Sequence, residues 1–115
     1  MKFQFLLDFG SYRDLQRHRS GVIPMPLLTL DKGFHPWYLD SLPADMLIEV
    51  KERMNTIADR VAKLDCSPED RQYYIPMGYQ CTIEATVSLP AALYIAEIRS
   101  AQTVHPTLRV VAQQM

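Results

Sequence analysis

Arg13, Arg17, His18 and Arg19 place three guanidinium groups and an imidazole within seven residues. Guanidinium forks suit phosphate, carboxylate or the carbonyl edge of a planar cofactor, because their donors match paired acceptor oxygens. On one helix, Arg13 and Arg17 lie one turn apart, and like charges at that spacing cost about 0.2–0.5 kcal/mol. A chain of net charge −1 that keeps them, and adds His18 and Arg19, is collecting positive charge for an anion. Asp14 stands four residues before His18 and is spaced to orient its ring. The plain alternative is a solvated basic helix end, favoured by the helix dipole.

A second set comprises Arg99 and Arg109, with His105 between them. Arg109 falls one turn inside a helix predicted to start at Pro106, where free N–H groups attract anions. Alternatively, Arg99 neutralises Glu97 or caps its own helix. Cys66 and Cys81 form no CxxC pair, and His18, His35 and His105 show no zinc spacing. Idle thiols in a reducing cytoplasm are the default reading, and a disulfide between the two stays open.

These side chains need elements to hold them. Lys2 to Phe9 alternates, with Phe3, Phe5, Leu7 and Phe9 on one side, and reads as a strand ended by Gly10. Ser11 to Asp14 looks like a capping-box start, so a helix is expected from Tyr12 to Arg19. Gly21, Pro24 and Pro26 stop it. Met25 to Leu30 reads as a short extended piece and Asp31 to Pro36 as a loop around Gly33. Leu47, Val50, Met54, Ile57, Val61 and Leu64 recur at spacings of three and four, predicting an amphipathic helix over Pro43 to Leu64. Cys66-Ser67-Pro68 closes it. Tyr73 to Pro76 reads as extended or turn-like, and Tyr79 to Ser88 alternates as a second strand with one wet side. A helix from Leu89 to Ser100 tolerates Pro90 in its first turn. A last helix, capped by Thr103 or His105 and entered through Pro106, runs towards Met115.

The chain has 115 residues, 48% hydrophobic and 22% charged, which fits one domain over residues 1–115. That composition excludes a disordered tail, a collagenous chain and a small disulfide scaffold. No apolar run approaches the roughly 20 residues of a membrane span, and the N-terminus is not a signal peptide. A sequence pI of about 6.3 argues against a general nucleic-acid binder. The expectation is a cytoplasmic protein whose anion site is local. The narrow seam from Leu47 to Leu64, with Phe3, Phe5, Trp37 and Tyr38, predicts a homo-oligomer, dimer or tetramer.

Arg13-Asp14-Leu15-Gln16-Arg17-His18-Arg19 resembles the RxxxRHR segment of flavin-dependent thymidylate synthases. Tyr74-Ile75-Pro76 resembles that family's Leu-Pro segment. Ile98-Arg99, Ala101-Gln102 and Leu108-Arg109 resemble its closing "LR…AQ…EIR". The resemblance implies an α+β fold of the thymidylate synthase-complementing type, with antiparallel strands, one long helix and two C-terminal helices. It implies a homotetramer binding FAD and dUMP, with NADPH and methylenetetrahydrofolate as co-substrates for dTMP synthesis, a methyltransferase reaction. By position it assigns Arg17, His18 and Arg19 to the flavin. Arg109 matches a nucleotide-contacting arginine and Arg99 the arginine before it; with Arg13 they form the implied substrate set.

Two departures bear on activity. After Arg19, Ser20-Gly21-Val22-Ile23-Pro24-Met25-Pro26 stands where the family carries a nucleotide-cradling Ser, Asn-Glu, Ser and Arg. Ser88-Leu89-Pro90-Ala91 stands where it carries Asn-Leu-Arg-Glu. The competing expectation is therefore a non-catalytic module for nucleotide or flavin binding, or for oligomerisation. If the family arrangement holds, the first and last helices should converge, within one chain or across a subunit boundary, and share one ligand between Arg17, His18, Arg19 and Arg109.

Overall fold

The computed structural model describes residues 1–115. Alternation decides the sheet. Strand β1 (Lys2–Asp8) pairs antiparallel with β3 (Gln80–Val87), and the two-residue β2 (Gly21–Val22) adds to the other edge of β3. The register sets Phe3 against Ala85, Phe5 against Ile83 and Leu7 against Cys81 on one face. Lys2, Gln4 and Leu6 lie against Thr86, Glu84 and Thr82 on the other. The first face is covered and the second is wet, where Lys2 and Gln4 both reach Glu84. This is how an antiparallel sheet with one solvated side reads.

The covered face carries the main core. Leu7, Tyr12, Leu15, Cys81, Ile83, Ala85, Ile95 and Leu108 are buried there. The helices over it are α1 (Phe9–Leu15), α5 (Leu89–Arg99) and α6 (Pro106–Gln114). Pro90 and Pro106 sit in the first turns of α5 and α6, where no N–H is needed. One helical layer on one sheet gives a slab 44 × 36 × 17 Å. The structure is thus an α+β fold with a three-stranded antiparallel sheet and six helices.

Several elements differ from expectation. Helix α1 starts three residues earlier and ends four earlier than Tyr12–Arg19. Asp8, not Ser11, is the N-cap: its carboxylate accepts the Ser11 N–H at 2.9 Å. The chain leaves the helix at Gln16 because Gly21 must reach β3 only five residues later. Gly10 lies inside α1 rather than ending the strand. Met25 to Leu30 forms no strand, since Pro24 and Pro26 can donate nothing to a ladder. Tyr73 to Pro76 takes the turn-like alternative, starting in a 3-10 turn over Gln72–Tyr74. Two short helices, α2 (Pro36–Asp40) and α4 (Pro68–Arg71), went unpredicted. Each starts with Pro at its first turn behind a capping side chain, His35 or Ser67.

The long helix α3 (Ala44–Ala62) forms as its periodicity requires. Val61 joins Leu28, Ile75 and Tyr79 in a second, smaller core, and Met54 packs against it. Leu47, Val50 and Leu64 are half-buried and Ile57 is exposed. The stripe therefore faces the chain's own second core and is only partly covered by it.

Gly21 marks the tightest backbone approach. A Cβ there would meet the Thr86 carbonyl oxygen at 2.8 Å and the Val87 side chain closer still. The Gly21→Ala substitution should cost about 1–3 kcal/mol, the scale of overpacking. A urea melt of the variant against the parent measures it.

Candidate functional site

The arginine segment begins at the end of α1. Because the helix stops at Leu15, only Arg13 is helical; Arg17, His18 and Arg19 lie in the turn that follows. The turn splits the segment. Arg13, Arg17 and Arg19, with Gln16, line one open groove that contains no apolar residue. His18 turns inward and is 8% exposed. Its Nε2 accepts the Arg99 Nε–H at 2.9 Å, while Arg99 Nη2 donates to the Asp14 carbonyl at 2.9 Å. An acceptor nitrogen must be unprotonated, so His18 is neutral here. Burial, then the Arg99 charge, pushes its pKa down.

The expected ring-orienting role of Asp14 is corrected by the same turn. The i, i+4 spacing to His18 has no helix to act through, and the Asp14 carboxylate instead meets Arg17 Nε at 3.2 Å. Arg99 is engaged within the chain, tying α5 to the end of α1. Arg109 donates to the Gln102 carbonyl at 3.3 Å, closing the connection between α5 and α6, and is not part of the groove.

The first and last helices do converge, but without arginines between them. Their N-terminal ends meet at Asp8, which is fully buried. Its Oδ2 accepts from the Ser11 N–H at 2.9 Å and the Tyr38 hydroxyl at 3.0 Å. Its Oδ1 accepts from Thr107 Oγ1 at 2.6 Å. Thr107 Oγ1 lies 2.7 Å from Ser11 Oγ and 2.9 Å from His105 Nδ1. The Tyr38 ring stacks on His105, and Trp37 meets His105 edge-on.

The parity of β1 puts Asp8 on the wet face. It is buried because the segment from Gly33 to His35 pairs beside β3 and brings α2 over it: His35 N–H bonds the Gly78 carbonyl and Gln80 N–H the Gly33 carbonyl. Gly33 makes the turn with a φ of 73°. Buried near this carboxylate, two groups become very weak acids. Desolvation, the Asp8 charge and its hydrogen bond push the Tyr38 phenol up to about 12. Burial and then Asp8 push the Cys81 thiol up to about 12. Cys81 and Cys66 are both free thiols.

Ser11, His105 and Asp8 share this knot without forming a nucleophilic triad. A triad needs the carboxylate on the imidazole nitrogen remote from the nucleophile. Asp8 bonds two hydroxyls and one backbone N–H, and no imidazole nitrogen. None of Asp8, Ser11, Tyr38 and Thr107 was singled out from sequence as a site residue. The available signals were Asp8 three residues before Ser11, and the repeated His-Pro dipeptides at 35–36 and 105–106, each at a helix start.

No family model matches the chain. It is similar to UPF0159 proteins. One from Chlamydia pneumoniae is 35% identical over 112 residues, 96% of this chain and 21% of that protein. One from Thermoplasma acidophilum is 33% identical over 116 residues, 98% of this chain and 23% of that protein. One from Chlamydia muridarum is 33% identical over 116 residues, 98% of this chain and 21% of that protein. The chain thus spans about a fifth of the length of the curated relatives it matches. These relatives correct the expected membership of the flavin-dependent thymidylate synthases. The proteins alike over nearly the whole chain carry a different family name, which states no activity. The Arg-His-Arg triplet behind that expectation is also divided by the fold, its imidazole neutral and internal.

Two outcomes follow. Asp8→Ala removes a helix cap and leaves the buried Thr107 and Tyr38 hydroxyls without their acceptor. It should lower stability by about 2–4 kcal/mol in chemical denaturation, the sum of a cap and an unmade buried bond. His18 binds its proton more weakly folded than unfolded, so the unfolded chain takes up more protons below its ordinary pKa of 6.5. Its contribution to stability is complete above that pH and is lost as pH falls through the lower folded value. Denaturation midpoints measured from pH 7.5 down to 5 should fall, and His18→Gln should flatten that part of the profile.

Proposed function

We propose that the groove lined by Arg13, Arg17 and Arg19 binds the phosphate of a small phosphorylated ligand of the nucleotide class. One observation carries this reading. Three guanidinium groups line a single open groove, and Arg13 and Arg19 have no carboxylate partner. The one side-chain hydrogen bond of Arg13 goes to the Met77 sulfur, at 3.7 Å, which neutralises no charge. A net-negative chain that leaves these cations side by side holds a local positive field, and paired guanidinium donors match phosphate oxygens. The inward turn of His18 sharpens the match, because it removes the one bulky ring from the groove.

The groove contains no acid, base or nucleophile among its four lining residues, so its chemistry is binding. FAD offers a pyrophosphate and dUMP a monophosphate, and both belong to the proposed ligand class. The relatives are about five times longer, so any reaction of a whole protein of that kind draws on residues beyond these 115.

Isothermal titration at low salt tests the reading with inorganic phosphate, dUMP, FAD and deoxyuridine. The three phosphate-bearing probes should bind and deoxyuridine should not. High salt should weaken binding, because the groove is open to screening. Arg13→Ala and Arg19→Ala should each weaken it about tenfold, the lower end for a charged hydrogen bond in contact with water. Both variants should keep the parent's melting temperature. Absence of heat at millimolar phosphate and dUMP, or indifference to both substitutions, removes the proposal.

A further inference from the structure

A second cavity, sharing no residue with the arginine groove, opens beside the buried Asp8 knot. It is a cleft of about 450 Å³ between β1, α2 and α6. Phe5, Trp37, Val110 and Val111 form its walls, Thr107 and His35 its inner polar part, and the exposed Gln114 amide stands at its rim. Thr107 is 4% exposed and its hydroxyl already donates to Asp8. The Trp37 backbone N–H donates to His35 Nδ1 at 3.2 Å. That bond fixes the tautomer of the neutral ring: Nδ1 accepts, so Nε2 carries the proton, and Nε2 makes no hydrogen bond within the chain. Burial holds His35 below its ordinary pKa, which keeps the ring in this neutral form at pH 7.

The cleft therefore has mostly apolar walls, and one of its lining side chains, the half-buried His35, keeps an unengaged N–H donor. No arginine or lysine lines it, and the Asp8 carboxylate lies behind its floor. Both facts select against an anion. A cation finds no exposed carboxylate either, because every Asp8 oxygen is already bonded. A polar part with one donor ring among apolar walls is the ordinary composition of a small-molecule site.

We propose that this cleft binds a small neutral aromatic ring bearing a carbonyl group, the ring against Trp37 and Phe5 and the carbonyl oxygen on His35 Nε2–H. Trp37 is the chain's single tryptophan, so its fluorescence reports this cleft alone. The whole chain is titrated with benzamide, benzoate and toluene. Benzamide should change the Trp37 emission saturably. Toluene, which lacks the acceptor, and benzoate, which carries charge towards Asp8, should each bind about tenfold more weakly or worse.

Two variants complete the test. Val110 is 53% exposed, so Val110→Phe should fill the cleft without disturbing the core and abolish the benzamide response. His35→Phe keeps a ring but no donor, and should erase the preference for benzamide over toluene. If His35→Phe does not fold, Val110→Phe decides alone. The proposal is overturned if benzamide gives no saturable response at millimolar concentration, if Val110→Phe responds like the parent, or if toluene or benzoate binds the parent as well as benzamide does.

Discussion

A carboxylate with no exposure to water holds three parts of this molecule together. Asp8 ends β1, caps α1, and accepts hydroxyl donors from α2 and α6. Burying an ionised group is costly unless each lone pair finds a donor. Here three donors arrive from three segments 3, 30 and 99 residues away. The arrangement is all or nothing. Remove any one segment and a charge is left half-satisfied in a place water does not reach. That is a strong reason for the segment from Gly33 to Tyr38 to fold over the end of β1 rather than trail as the loop its composition suggests.

The same residue explains where the arginines point. With the cap at Asp8, α1 has only seven residues before Gln16, and the chain must reach β3 by Gly21. The residues that a longer helix would have carried are placed in a turn instead. His18 goes in and Arg17 and Arg19 stay out. Arg99 completes the separation, since its guanidinium bridges His18 and the Asp14 carbonyl and anchors α5 to the turn. Two cationic motifs that look alike in the sequence thus have different physical lives: one is internal bracing, the other is a solvated field.

Much of the architecture was legible from periodicity. The alternations of Lys2 to Asp8 and Gln80 to Val87 are strong because one sheet face is wet and the other buried. The seam of α3 and the proline entries of α5 and α6 were equally plain. Local signals failed where a distant segment changed a residue's surroundings. Asp8 has wet-face parity and reads as solvated; only the cover from Gly33 to Tyr38, far off in sequence, makes it internal. Helices of four or five residues, α2 and α4, carry too few positions to show a period at all. The Arg-His-Arg triplet misled for a related reason. Adjacent letters suggest a shared task, while a turn sends neighbouring side chains in opposite directions.

The arginine groove and the cleft beside Asp8 are separate surfaces of unlike chemistry. In the arginine groove water is abundant, so attraction to an anion is long-ranged, salt-sensitive and weak per contact. Asp8 itself is shut off from water, so the hydrogen bonds made to it discriminate more sharply and a second charge beside it would be penalised. The knot can hold that dry environment because its own polar groups are mutually satisfied: Thr107, Ser11 and Tyr38 all direct donors inward. His35 is the exception, half-buried beside the knot with one nitrogen accepting from Trp37 and the other unengaged. A donor left open at the edge of a satisfied network is where an incoming carbonyl group gains most, since it completes the set without displacing any bond already made.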